Sequence, residues 1–144
     1  MEYASLRNRI AAESTERQVR YQQYETVWAD AVAAGNRAAQ AAIPAPMVVQ
    51  QHANPLDDGS PVTQQWTVNE GPCGFAEVRL PKGNTSFAHW AKKNAGFRKH
   101  YYGGLSFWVS DFGQSMERKY AFARAAASIL NEHGIDAYAS SHLD

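Results

Sequence analysis

The chain runs Phe97-Arg98-Lys99-His100-Tyr101-Tyr102, then Gly103-Gly104, then Leu105-Ser106-Phe107-Trp108-Val109. A glycine pair separates two aromatic-rich runs. A tight primed turn needs positive φ at its central residues, which glycine adopts without steric cost. The stretch therefore reads as a β-hairpin with Gly103-Gly104 at its tip.

The flanks extend the pattern. Upstream, Thr85 or Ser86 can cap a helix over Phe87 to Asn94, with Phe87, Trp90 and Ala91 on one side. Ala95-Gly96-Phe97 supplies the glycine-then-hydrophobe helix ending. Before it, Gly74 to Leu80 alternates as a strand, with Ala76, Val78 and Leu80 on one face and Phe75, Glu77 and Arg79 on the other. Downstream, Asp111 and Gln114 have N-cap and N3 spacing for a helix. On it Met116, Tyr120, Ala123, Ala127 and Leu130 form an apolar stripe. Lys119 intrudes on that stripe, to snorkel along its edge or to reach an anion. His133-Gly134-Ile135 ends the helix, and Asp136 to His142 is a final strand.

The order β-α-β-β-α-β predicts an α+β fold of ferredoxin-like, split-βαβ type, with an antiparallel sheet and both helices on one face. Leu105, Phe107, Val109, Ala137 and Ala139 then join Ala76, Val78 and Leu80 under the helices. The opposite face carries Phe75, Glu77, Arg79, Ser106, Trp108, Tyr138 and Ser140. It is either covered by the N-terminal helix or open for binding.

Further out, Tyr3 to Ala42 is alanine-rich and free of proline. Thr15 and Gln18 have capping-box spacing, which predicts one helix ending near Glu13 and another starting at Glu16. Tyr21, Tyr24, Trp28 and Ala31 form an apolar stripe that must be buried, in the fold or in a homo-oligomer. Pro44 and Pro46 stop the helix. Met47-Val48-Val49 is a short strand candidate, and Val62 to Val68 reads as an extra strand ahead of the β-α-β-β-α-β unit. The expected division is a helical arm over 1–43 and an α+β domain over 44–144. Asn54-Pro55 and Asp58-Gly59 mark turns, and Asp57-Asp58 lacks the further oxygen ligands of a cation site.

Composition narrows the function. With 44% hydrophobic and 19% charged residues, a chain of 144 residues builds a core and is not disordered. One cysteine excludes an internal disulfide framework. No apolar run suits a membrane span, and the N-terminal residues lack a signal-peptide core. The default expectation is a cytoplasmic location. The net charge is zero, but residues 78–110 hold six bases and no acid. A site for an anionic partner is expected there, centred on Trp90, Arg98, Lys99 and Tyr101 with Lys92 and Lys93 at the rim. Interleaved rings and cations are what holds single-stranded nucleic acids and nucleotides. In an RNA-recognition domain the strand Leu105 to Val109 carries the aromatic signature, of which Leu105-Ser106-Phe107 lacks the second ring.

Catalytic patterns are weak. Gly71-Pro72-Cys73-Gly74 reads as a turn feeding a strand, with no nucleophile signature around Cys73. The five histidines lack zinc-pair spacing, and no glycine-rich phosphate loop precedes a helix. Ser140-Ser141-His142 has no elbow and no acid partner. No catalytic residue, metal or cofactor is expected.

Pro44 to Val49, Pro72 to Val78, Tyr102-Gly103-Gly104, Gln114 to Lys119 and the ending Gly134 to Asp144 together resemble a family of small proteins encoded by tailed bacteriophages and prophages. The resemblance covers about two thirds of the chain, omits the N-terminal helices and carries no catalytic residues. It implies a bacterial host cytoplasm. It also implies an accessory, non-enzymatic protein that binds a host protein stoichiometrically, against a defence or regulatory system. Zero net charge argues against a DNA mimic. The alternatives are a nucleic-acid or nucleotide-binding module using the basic hairpin, and a virion or assembly component using the N-terminal helices.

Overall fold

The computed structural model describes residues 2–144. It is an α+β chain with one long N-terminal helix, two antiparallel sheets and two further helices. Helix α1 (Glu2–Ala41) is followed by strands β1 (Met47–His52), β2 (Val62–Val68) and β3 (Gly74–Leu80). Then come α2 (Ser86–Asn94), β4 (Arg98–Lys99), β5 (Leu105–Trp108), α3 (Met116–Glu132) and β6 (Tyr138–Leu143). Strands β4, β5, β3 and β6 lie side by side in that order, with every neighbouring pair antiparallel. The extra strand β2 does not join them. It pairs with β1 in a separate two-stranded sheet.

The four-stranded sheet buries one face. Ala76, Val78, Leu80 and Leu105 are buried beneath the helices, with Phe107 packed against the same core. Helix α2 is capped by Thr85, whose Oγ1 accepts the Ala88 amide at 3.1 Å. It ends at Gly96, φ +76°, after which Phe97 drops into the core at 1% exposure. Burying such a ring is worth about 1.5–3 kcal/mol, so this ending fixes helix to sheet. Helix α3 ends similarly: Gly134 has φ +77° and the Ile135 amide donates to Leu130 O at 3.0 Å.

Four expectations need correction. First, α1 is one unbroken helix. Thr15 does not cap a second one, because its Oγ1 donates back to Ala11 O at 3.0 Å, within the helix. Second, α3 starts at Met116, later than Asp111 suggests. Phe112 and Gly113 take positive φ, which no right-handed helix allows, and Ser115 is the cap, accepting from Arg118 N at 3.3 Å. Third, the hairpin tip is longer than a glycine pair. Strand β4 stops at Lys99, and His100 to Gly104 form the loop, closed by His100 N to Gly104 O at 3.0 Å. Gly104 is required there: a Cβ would lie 2.0 Å from Leu80 O. Fourth, Lys119 neither snorkels nor meets an anion. It is 5% exposed, donates to Gly74 O at 3.3 Å and lies 5.6 Å from the centre of the Phe75 ring.

The C-terminal half of α1 packs on α3 and reaches α2. Val27, Ala31 and Ala39 are core residues, and the Trp28 ring lies 5.0 Å from both Phe97 and Phe107. Tyr24 meets Phe87 edge-on at 5.3 Å, whereas Tyr21 stays at the surface. Helix α1 thus shares the helix side of the sheet and leaves the other side uncovered. Its residues 4–20 are all exposed.

Candidate functional site

The uncovered face of the four-stranded sheet is where side chains of mixed chemistry converge. Residues directly opposite in a sheet share a face, so the strand register maps it. Arg98, Ser106, Arg79 and Tyr138 form one row across β4, β5, β3 and β6. Trp108, Glu77 and Ser140 form the next. Phe75 and His142 form a third.

A polar knot sits in this face. Glu77 is 6% exposed. Ser106 Oγ donates to Glu77 Oε2 at 2.7 Å, and His100 Nε2 lies 3.3 Å from Oε1. Arg79 Nη1 is 3.9 Å from the same carboxylate. Arg79 Nη2 donates to Gly103 O at 3.2 Å, and its guanidinium carbon stands 5.5 Å from the Tyr138 ring centre. The Tyr102 amide donates to His100 Nδ1 at 3.0 Å, which places the ring proton on Nε2, facing Glu77. Both ring nitrogens are thereby engaged. His100 pins the hairpin tip to β3 and has no free nitrogen for acid–base work. That pin also explains why β4 ends at Lys99.

Beside the knot lies an aromatic cluster. The Phe75 ring is 5.0 Å from Trp108 and 5.1 Å from His142. Trp108 and Tyr138 are nearly half exposed, at 46% and 44%. Arg98 and Trp108 line one open cleft of about 540 Å³ with Gly96, Ser106 and Ser110.

The basic segment is not one surface. Strand alternation sends Arg98 to the uncovered face and Lys99 to the other side. There Lys99, Lys92, His89 and His100 line a second open cleft of about 470 Å³. Lys93 is exposed in the last turn of α2 and lines neither cleft; with Lys92 it complements the negative end of the helix dipole. Tyr101 is 91% exposed at the hairpin tip, edge-on to Tyr102 at 5.0 Å. Trp90 is the clear misplacement: it is 6% exposed, packed at 5.7 Å from Phe87 and 6.1 Å from Tyr24. It belongs to the core because α2 must bury one stripe, and Trp90 lies on that stripe.

Alternation along β3 and β5 is the signal that reveals the uncovered face. His142 and the Glu77–His100 pin carry no local signal, since their partners come from distant parts of the chain.

Among the described residues no group of three or more His, Cys, Asp or Glu side chains could hold a metal ion. No described helix is long and apolar enough to cross a membrane. No family model matches the chain, and no curated protein or solved structure matches it either.

Proposed function

We propose that this chain is a ferredoxin-like domain that acts by stoichiometric binding, without turnover, through the uncovered face of its four-stranded sheet. The strand order β4-β5-β3-β6 with antiparallel neighbours supports the split-βαβ reading. One observation carries the functional reading: Trp108 and Tyr138 stand nearly half exposed, with Arg98, on a face that no helix covers. Trp, Tyr and Arg are the residue types that most often anchor protein interfaces. Glu77 offsets the Arg79 charge at the centre, so this face favours a mixed protein surface over a run of phosphates. The resemblance to phage-encoded proteins makes a bacterial host protein, of a defence or regulatory system, the expected partner.

The test is capture from a bacterial lysate with the full chain and with W108A/Y138A. The full chain retains one protein at near-equal stoichiometry and the variant loses it. Equal retention by both overturns the reading.

A second reading, nucleotide or single-stranded nucleic-acid binding, is favoured by Arg98 and Trp108 sharing one cleft. A base stacked on Trp108 would leave its phosphate near Arg98. Such stacking is worth about 1–3 kcal/mol per base. Binding would then fall steeply with salt and be lost in R98E.

A further inference from the structure

The four-stranded sheet has two edges, and they are built differently. Strand β4 is two residues long, and both are cations, Arg98 and Lys99. A short, charged edge discourages further pairing. Strand β6 is the other edge. Its six residues, Tyr138-Ala139-Ser140-Ser141-His142-Leu143, include no proline, lysine, arginine or carboxylate. Its register against β3 is unbroken from Gly74↔Leu143 to Arg79↔Tyr138, so no bulge protects it. It packs substantially on β3 and α3 alone.

The backbone of β6 shows which part of that edge is open. The Asp144 amide donates to Cys73 O at 3.1 Å, so Asp144 faces β3. In an antiparallel ladder every second residue does the same, which turns the backbone groups of Ala137, Ala139, Ser141 and Leu143 outward. At Ala137 both groups are taken. Asn131 Oδ1 accepts the Ala137 amide at 3.0 Å, and Asn131 Nδ2 donates to its carbonyl at 3.1 Å. Among the described residues, the backbone groups of Ala139, Ser141 and Leu143 have no such partner, and none of the three residues is buried.

We propose that the open part of β6 pairs with β6 of a second copy, antiparallel about a two-fold axis at Ser141, joining two four-stranded sheets into one continuous sheet. A two-fold interface needs a self-complementary patch, and this strand is one. In this register the outward residues meet one another: Ser141 opposes its own copy, and Ala139 opposes Leu143. Their amides and carbonyls then all find partners. The side chains agree. Ala139 covers Leu143, which is 64% exposed in the single chain, and the Ser140 hydroxyl comes opposite the His142 ring. Centring the pair on Ser140 instead fails twice. It needs the Ala137 backbone, which Asn131 already holds, and it sets Asp136 against Asp144.

The contact also closes on itself. The far edges of the joined sheet are the two cationic β4 strands, so assembly stops at a dimer. A strand of another protein offers the same kind of ladder, but β6 itself supplies both halves of every pair without opposing two like charges. The inference stands independently of the partner assigned to the uncovered face, because the purified chain alone tests it.

Sedimentation of the full chain over a concentration series is that test, alongside S141P and S141A. The Ser141 amide points away from β3, so proline there removes an outward donor and leaves the intrachain ladder, as circular dichroism will check. The full chain runs at twice the chain mass, S141P at the chain mass, and S141A again at twice. In parallel, S141C in a C73S background forms a disulfide-linked dimer on mild oxidation, since the two copies of position 141 oppose each other at about 5.5 Å between Cα atoms. L143C in the same background does not, because its two copies lie roughly 13 Å apart along the strand. This cysteine pair decides the matter if S141P does not fold. A full chain that stays monomeric at every concentration overturns the proposal and leaves the edge to a strand of another protein. So does a dimer that persists in folded S141P, or oxidation that links L143C as readily as S141C.

Discussion

Trp90 and Trp108 carry the same side chain in opposite surroundings. Trp90 is packed among Tyr24 and Phe87, and Trp108 is open on the sheet. Replacing Trp90 with alanine should therefore destabilise the chain by about 3–5 kcal/mol, the range for emptying a ring-sized core site. Replacing Trp108 should cost little stability and remove binding; urea unfolding of the two variants separates them. Glu77 is a third kind of position. Glu77→Ala strands the Ser106 hydroxyl and the Arg79 guanidinium, and frees His100. Each polar group left unpaired in a buried site costs roughly 1–3 kcal/mol. The expected result is a lower unfolding midpoint and faster amide exchange over His100 to Gly104. Unchanged exchange there would show that the pin does not hold the hairpin tip.

At the scale of elements, the hairpin β1–β2 is tied to the body by few groups, and the Glu70–Arg118 pair is one of them. The hydrogen bond from Arg118, with its charge, holds the Glu70 carboxyl below its ordinary pKa of 4.5, although partial desolvation opposes this. Glu70 in turn raises Arg118. A carboxylate with a depressed folded-state pKa contributes stability that is fully present above 4.5 and is lost as pH falls through the lower folded value. Acidification below 4.5 should therefore loosen the hairpin base before the core, read as earlier amide exchange in β1 and β2 than in β3. Glu70→Gln should remove this pH dependence while keeping the side chain's shape. Retention of the full dependence in that variant would assign it to another carboxylate.

The whole molecule is a body with two projections. Helix α1 spans roughly 60 Å at 1.5 Å per residue, and only its C-terminal half touches the body. Removing residues 1–20 should leave the melting temperature near that of the full chain. Removing residues 1–43 takes away Val27, Trp28, Ala31 and Ala39, exposes Phe107 and Phe122, and should lower it sharply or prevent folding. Equal melting of all three chains would mean that the α1–α3 contact contributes nothing. The hairpin β1–β2 is the second projection.

Local chemistry determined the elements. The period-2 pattern of Gly74 to Leu80, the caps and glycine endings of α2, and the ending of α3 follow from neighbours a few residues away, so the chain alone shows them. The two faces of the main sheet were legible for the same reason. Tertiary structure decided what depends on distant partners. Thr15 is a back-bonded helix residue because α1 continues into a packed C-terminal half. The hairpin tip lengthens because His100 finds Glu77 and Gly104 finds Leu80. The basic segment is one run along the chain. Folding divided it, since one residue along a strand reverses the face and one stripe of a helix must be buried.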